Sequence, residues 1–318
     1  MSGHIPVMLR EVCEILDTIP SIRLVVDATL GSGGYSEAIL SKWQKVAVLG
    51  IDQDPQAIES ARRRLIPFGD RFRAVHGNFK DLSLILDEAG VSAPDAILFD
   101  LGISSMQVDT PDRGFSFQGK GPLDMRMNSA DDHNLMAADI VNTYSMRDLT
   151  RIFRIYGEES FAAQIARGII RYRENTGPIL ETDTLVMVIR ETLPAPVQRK
   201  MGRNPARKIF QALRIAVNDE LEVLENALDE CDKIAGNRVT VIAVSYHSLE
   251  DRIVKRKFRE WLLVDRGEMP FRKPLVPGPE EIEENWRSRS AKLRVFHLKG
   301  DARGGRIDEL PRNGFVLP

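Results

Sequence analysis

Residues 24–42 constrain the fold more than any other part of the chain. Leu24-Val25-Val26-Asp27-Ala28-Thr29 is a short apolar strand ending in polar residues. Leu30-Gly31-Ser32-Gly33-Gly34-Tyr35 turns sharply, and residues 36–43 follow with helical spacing. Strand, glycine-rich turn and helix lay out a site for a nucleotide-type cofactor, because glycine reaches φ > 0 and lets a ligand approach the backbone. A second strand, Val46-Ala47-Val48-Leu49-Gly50-Ile51, runs into Asp52, where a carboxylate is placed to hold ribose hydroxyls. The competing reading of the glycines alone is a plain α/β turn with a capping acid.

The glycine spacing discriminates among cofactors. Dinucleotide folds need G-x-G-x-x-G, and Gly31-x-Gly33-Gly34 has no glycine at the third position. No lysine follows the turn, which excludes a P-loop. A loop shaped for close approach but not for phosphate fits S-adenosylmethionine, whose amino-acid end replaces the pyrophosphate.

Bulk properties set wide limits. The chain has 318 residues, enough for one large domain or two ordinary ones, and is 43% hydrophobic and 28% charged. The formal charge of −2 means that any basic surface is local. Cys13 and Cys231 sit in apolar helical patterns without a CxxC motif, so core packing is expected and neither a disulfide framework nor a metal site is indicated. No leader pattern or membrane-length apolar run is present, and a cytoplasmic location is expected by default.

Alternation continues after Asp52. Helices are expected at residues 7–16, 55–65 and 82–89, with Asp54 capping the second and Pro55 at its first position. Strands are expected at residues 72–76 and 95–101, the latter passing through Asp100. Strands alternating with helices imply a parallel sheet covered on both faces. From residue 106 the pattern changes to loop and helix. Residues 137–142, 146–156, 159–173 and 182–192 have helical spacing, with Phe161, Ile165, Ile169 and Ile170 in one stripe. Asn204-Pro205 marks a helix start, and residues 209–228 read as one long amphipathic helix. A strand at 239–244, the turn Ser245-Tyr246-His247-Ser248 and a helix at 249–263 restore the alternation. Residues 266–285 read as a surface excursion, and residues 292–298 as an antiparallel strand at the sheet edge. The expected organisation is a first methyltransferase segment at 1–105, an inserted helical domain at 106–204, and a second methyltransferase segment at 205–318.

In an open parallel sheet, ligands bind beyond the carboxyl ends of the strands. The turns at Gly31 to Tyr35, Asp52, Gly77 to Phe79, Asp100 to Gln107 and Ser245 to Ser248 meet there. Phe79 offers a face for adenine or, equally, a core side chain. Asp100 stands where enzymes that methylate exocyclic base amines place Asp or Asn. The N4 lone pair of cytosine is delocalised into the ring, and accepting a hydrogen bond from its N–H returns density to nitrogen.

These residues belong to longer motifs. They include His4-Ile5-Pro6-Val7-Met8, Asp27 to Gly34, Asp52-Gln53-Asp54-Pro55-Gln56-Ala57 and Asp100 to Gln107. Asp112 to Phe117, Gly121 to Met127, Tyr156-Gly157-Glu158-Glu159, Phe210 to Ile215, Ser248 to Lys255 and Arg289 to Arg294 continue the series. Across nearly its whole length the chain resembles the bacterial small-subunit ribosomal RNA cytosine-N4 methyltransferase family. The resemblance implies an α/β fold, a class I (Rossmann-like) S-adenosylmethionine-dependent methyltransferase sheet carrying an inserted all-helical domain that engages RNA. It implies methylation of a cytidine in the decoding region of 16S rRNA, with the small ribosomal subunit as partner. S-adenosylmethionine contacts then fall on Gly33, Gly34, Tyr35, Asp52, Phe79, Asp100 and Gln107, with Asp100 as the catalytic residue. Many members carry histidine at Tyr35 and phenylalanine at Tyr246; neither departure is expected to touch Asp100. A homodimer is compatible with the sequence and not required by it.

Three basic clusters suggest a surface that grips phosphate: Arg199, Lys200, Arg203, Arg207, Lys208 and Arg214; Arg252, Lys255, Arg256, Lys257 and Arg259; and Arg287, Arg289, Lys292 and Arg294. Two other functions compete. A DNA amino-methyltransferase normally carries a Pro-Pro-aromatic run after the acid, whereas Asp100 is followed by Leu101-Gly102-Ile103. A ribosome-binding factor without catalysis would not need Gly33, Gly34, Asp52 and Asp100 together.

Overall fold

The computed structural model describes residues 5–91, 93–130, 135–200, 205–234 and 238–300, with only the backbone at 199 and 200. His4, Arg203, Asn204 and the side chains of Arg199 and Lys200 therefore lie outside the described residues. Seven strands, β1 (Leu24–Asp27), β2 (Ala47–Asp52), β3 (Phe72–His76), β4 (Ala96–Asp100), β5 (Val239–Ser245), β6 (Gly267–Glu268) and β7 (Lys292–Leu298), form one sheet. Its order is β3-β2-β1-β4-β5-β7-β6. The first five strands in this order are parallel, while β7 runs antiparallel to β5 and β6 antiparallel to β7. The short β6 takes the edge that the sequence assigns to β7.

Apolar residues alternate across the sheet and split its core in two. Val25, Val48, Leu98, Ile242 and Val295 point to one face, packing with α1 (Leu9–Asp17), α2 (Gly34–Lys42) and α3 (Pro55–Leu65). Val26, Leu49, Ile97, Val241 and Phe296 point to the other, against α4 (Leu82–Glu88) and two later helices. A strand with both faces covered is apolar at most positions, which explains the runs Ala96-Ile97-Leu98-Phe99 in β4 and Val241-Ile242-Ala243-Val244 in β5. Asp54 caps α3 by accepting from the Gln56 N–H, with Pro55 at the first position, as its sequence signals. The expected α1 begins later, at Leu9, because Met8 takes a left-handed conformation (φ 55°) that no helix interior accepts.

Between β4 and β5 the chain forms a helical unit. It holds α5 (Ser105–Asp109), α6 (Ala137–Thr143), α7 (Met146–Ile155), α8 (Ala162–Asn175), α9 (Thr182–Thr192), α10 (Ala195–Lys200) and α11 (Arg207–Asn218). A separate core from Phe115 to Leu213 unites α6 to α11, including Phe153, Ile165, Ile169, Ile189 and Phe210. The packing of this unit therefore continues past residue 204 to α11.

The single helix expected at 209–228 is two helices. Asp219, in the left-handed region at φ 48°, separates α11 from α12 (Glu220–Lys233). Periodicity misses the break because apolar residues continue through it with little loss of phase. Phe210 and Leu213 serve the helical unit's core, whereas Leu224 and Leu228 serve the sheet's. The Asn218 amide pins the corner, donating to the Met125 carbonyl (2.8 Å) and accepting from the Met127 N–H (2.7 Å). After β5, α13 (Ser248–Leu263) joins α4 and α12 on the sheet. The excursion at 266–285 contains β6 and α14 (Pro279–Glu284), and Glu281 of α14 accepts from the Met8 N–H at 2.6 Å. Cys231 is buried as expected, whereas Cys13 is half-buried, and both are free thiols.

Candidate active site

Three adjacent parallel strands end in acids. Asp27 closes β1, Asp52 closes β2 and Asp100 closes β4. Asp27 is fully buried; its Oδ2 accepts from Ser36 Oγ at 2.7 Å, while Oδ1 has no partner among the described residues. Asp52 accepts from the Gly31 N–H (2.8 Å) and the Asp54 N–H (2.9 Å), so it also shapes the glycine turn. Asp100 is held from behind by its own N–H, which donates to Thr29 Oγ1 at 2.6 Å.

Burial pushes the Asp27 and Asp52 carboxyls each up to about 6, against the pull of their hydrogen bonds. It pushes Asp100 up to about 7, helped by the negative charges of Asp27 and Glu250 and opposed by a hydrogen bond from Tyr246. Acids so placed hold protons because their charged forms lack solvent and repel one another. A cationic ligand relieves this, and a pyrophosphate aggravates it. Together with the orphaned Asp27 Oδ1, the three carboxylates fit a ligand that carries a sulfonium and an ammonium, as S-adenosylmethionine does.

The glycine turn is shaped by its packing against protein. Gly33 is left-handed (φ 80°), and a Cβ there would meet Leu65 Cδ1 at 3.0 Å; one on Gly34 would meet Pro6 Cγ at 2.8 Å. Both missing side chains thus make room for protein, and what these residues offer a ligand is backbone at the start of α2. Tyr35 is buried, and its hydroxyl donates to the Val7 carbonyl, tying the His4-to-Met8 motif to α2. Burial first, and then Asp100, raise the phenol well above its ordinary range.

Phe79 lies after β3, edge-on to Phe99 with ring centroids 5.6 Å apart, and is partly buried against the sheet core. The Gln107 side chain is occupied at both ends: Oε1 accepts from the Ser104 N–H (3.1 Å) and Nε2 donates to Asp54 Oδ2 (3.1 Å). Arg113 donates to the same Asp54 oxygen at 2.6 Å and to the carbonyls of Arg126 and Met127, each at 2.9 Å. Gln107 and Arg113 thereby clamp the start of the helical unit to the turn that follows Asp52. Sequence reasoning does not single out Asp27, Thr29, Asp54 and Arg113 as site residues. The acid at the end of the first strand is the available signal for Asp27; the others depend on contacts across the fold.

The turn after β5 corrects one expectation outright. The Tyr246 hydroxyl donates to Asp100 Oδ1 at 2.6 Å, so the departure at this position does touch Asp100. His247 caps α13: its Nδ1 accepts from the Glu250 N–H at 3.3 Å, and Glu250 Oε2 accepts in return from the Tyr246 (2.8 Å) and His247 (3.2 Å) N–H groups. Glu220, His247 and Glu250 stand close together, but Arg214 already satisfies both Glu220 oxygens (2.7 and 2.8 Å).

The basic clusters are also corrected in part. Arg214 is an internal ion-pair partner and not a surface cation. Arg252 pairs with Glu158, Arg256 with Glu225, and Lys257 with Asp229. Arg287 meets Asp109, and both Lys292 and Arg294 meet Asp251. These seven cations, which stand in runs of like charge in the sequence, are neutralised by acids from other segments.

A parallel sheet closed by an antiparallel β7, with acids at three strand ends around a glycine turn, defines a class I S-adenosylmethionine-dependent methyltransferase. The chain belongs to the MraW methylase family, whose model matches residues 1–299. It is similar to the ribosomal RNA small subunit methyltransferase H of Nocardioides sp. (strain ATCC BAA-499 / JS614), 43% identical over 319 residues that cover 93% of this chain and 97% of that protein. The protein of the same name from Carboxydothermus hydrogenoformans (strain ATCC BAA-161 / DSM 6008 / Z-2901) is 44% identical over 308 residues, covering 92% and 97%. Among solved structures, an rRNA methylase from Streptococcus thermophilus matches with a TM-score of 0.39 at 11% identity, over 91% of this chain and 95% of that one. Among the described residues, no helix is long and apolar enough to cross a membrane.

Proposed function

We propose that this chain methylates N4 of a cytidine in the decoding region of 16S rRNA, in the cytoplasm, with Asp100 receiving the N4 proton. One observation carries the assignment to Asp100. Its Oδ1 is occupied by Tyr246, while Oδ2 has no hydrogen-bond partner among the described residues, at the strand end where the ligand turns converge. A carboxyl pushed to about 7 is matched to proton transfer at neutral pH.

S-adenosylmethionine, when bound, supplies a methyl carbon on a cationic sulfur that leaves as a neutral thioether. Asp52 would hold the ribose hydroxyls, Asp27 the amino-acid end, and the Gly33–Gly34 backbone would lie beneath it, with Phe79 beside the adenine. The Asp100 carboxylate accepts a hydrogen bond from the target amine, raises density on N4, and takes the proton that N4 loses as it gains the methyl. Alignment supplies much of the rate, since a sulfonium methyl needs no further activation. The helical unit, clamped through Arg113 next to the cofactor turn, is the part we assign to RNA.

Labelled S-adenosylmethionine incubated with small subunits, free rRNA and duplex DNA tests the reading. Label in a single rRNA cytidine at N4 is the expected outcome. Label in duplex DNA would support the amino-methyltransferase alternative, and no label in any substrate would support the non-catalytic one.

A further inference from the structure

Tyr246 is the side chain in this site whose chemistry methyl transfer alone does not explain. Its backbone is fixed, because the N–H donates to Glu250 Oε2 at 2.8 Å inside the α13 capping box. Its ring lies over Gly102, where an added Cβ would stand 3.4 Å from Cδ2. Only the hydroxyl reaches the strand ends, 2.6 Å from Asp100 Oδ1. Burial first, and then the neighbouring Asp100, raise the phenol well above its ordinary range, so it stays protonated and remains the donor.

We propose that Tyr246 is a positioning residue for Asp100, fixing Oδ1 so that Oδ2 faces the target amine and favouring the ionised carboxylate over the acid. The proposal rests on the reading that Asp100 accepts the N4 proton. Without this hydrogen bond the half-buried carboxylate turns about its terminal torsion, which is broad, and presents either oxygen. A hydrogen bond donated to the charged form also favours that form, and it opposes the other groups around Asp100. Those are Asp27 from β1 and Glu250 from α13, which oppose ionisation, with the Tyr35 phenol facing from α2. Among these neighbours, Tyr246 is the one that favours the carboxylate.

Tyr246→Phe removes one oxygen and keeps the ring over Gly102. Single-turnover methyl transfer, measured at saturating S-adenosylmethionine across about pH 5.5 to 9, reads the effect on the acid limb of the profile. The wild-type rate rises as Asp100 ionises. In Tyr246→Phe the acid limb moves up by about half to one pH unit, so transfer near pH 6 falls roughly threefold to tenfold and largely recovers in alkali. A limb at the wild-type position, or a loss that is uniform across pH, overturns the proposal. Asp100→Asn run alongside separates the two readings: a Tyr246→Phe profile without a shift beside an inactive Asp100→Asn refutes the proposal alone. Wild-type transfer by Asp100→Asn refutes the underlying assignment, and the proposal with it.

Discussion

The Arg113 guanidinium donates to Asp54 Oδ2 at 2.6 Å, joining the helical unit to the cofactor side of the sheet through a pair whose side chains are 9% and 1% exposed. Arg113 belongs to the long loop after α5, and Asp54 caps α3. The ends of this pair lie 59 residues apart in the chain. Asp54 donates its N–H to Asp52, so the pair ties the helical unit to the turn after β2.

Breaking a buried pair strands the remaining charge. Arg113→Ala is expected to cost about 3–5 kcal/mol of stability, the range for removing one partner of such a pair. Urea unfolding checks it; a loss below about 1 kcal/mol would mean that solvent or Gln107 replaces the guanidinium.

Cofactor affinity should depend on pH. Asp27, Asp52 and Asp100 keep their protons in the fold to about 6, about 6 and about 7, whereas an unfolded Asp releases its proton near about 3.9. The folded free protein therefore binds more protons in the window between, and these groups contribute stability below the unfolded value that is lost as pH rises toward 7. A cationic ligand prefers the ionised carboxylates. Affinity for S-adenosylmethionine should fall by about tenfold or more from about pH 8 to about pH 5, with proton release on binding at the low end. Calorimetry in two buffers of different ionisation enthalpy measures both quantities, and a flat affinity across this window contradicts the electrostatic account.

Asp52 accepts the Gly31 and Asp54 N–H groups, and the proposed function gives it a second task, holding ribose. Asp52→Ala should weaken S-adenosylmethionine by about 1.5–3 kcal/mol, the range for hydrogen bonds to a charged group. Wild-type affinity in a folded Asp52→Ala protein would take Asp52 out of the binding site.

Much of the fold is legible in the sequence because local signals agree. Pro55 and Asp54 mark α3, and the β3 and α9 limits fall where the apolar pattern changes. The α11–α12 corner at Asp219 is not legible, because two cores share one helical period across it. Nor is the two-residue β6, which has no pattern of its own and exists because β7 offers a free edge. At the site, the acids at strand ends can be read, since a parallel sheet delivers them to one rim. The bond between Tyr246 and Asp100, 146 residues apart, cannot be read from spacing. The same limit misleads the reading of charge, because Arg256 and Lys257 find Glu225 and Asp229 on a different helix.

Arg207 and Lys208 are exposed at the start of α11 on the helical unit. Reversing both to Glu should weaken RNA binding and reduce the salt slope by about 0.7 for each phosphate that is no longer neutralised. The Arg256→Glu variant serves as the comparison, since that residue is already paired with Glu225. Equal slopes for all three proteins in filter binding would dismiss this part of the helical unit as the RNA surface.

The central claim is that Asp100 takes the proton from the target amine. Asp100→Asn keeps the shape and one acceptor but loses the charge. Single-turnover methyl transfer at saturating S-adenosylmethionine separates that loss from cofactor binding. The expected rate is lower by about 10²–10⁴-fold, the span for a positioned acid–base group, with cofactor affinity largely retained. Transfer at the wild-type rate once cofactor is saturating would contradict the claim and leave Asp100 a binding residue only.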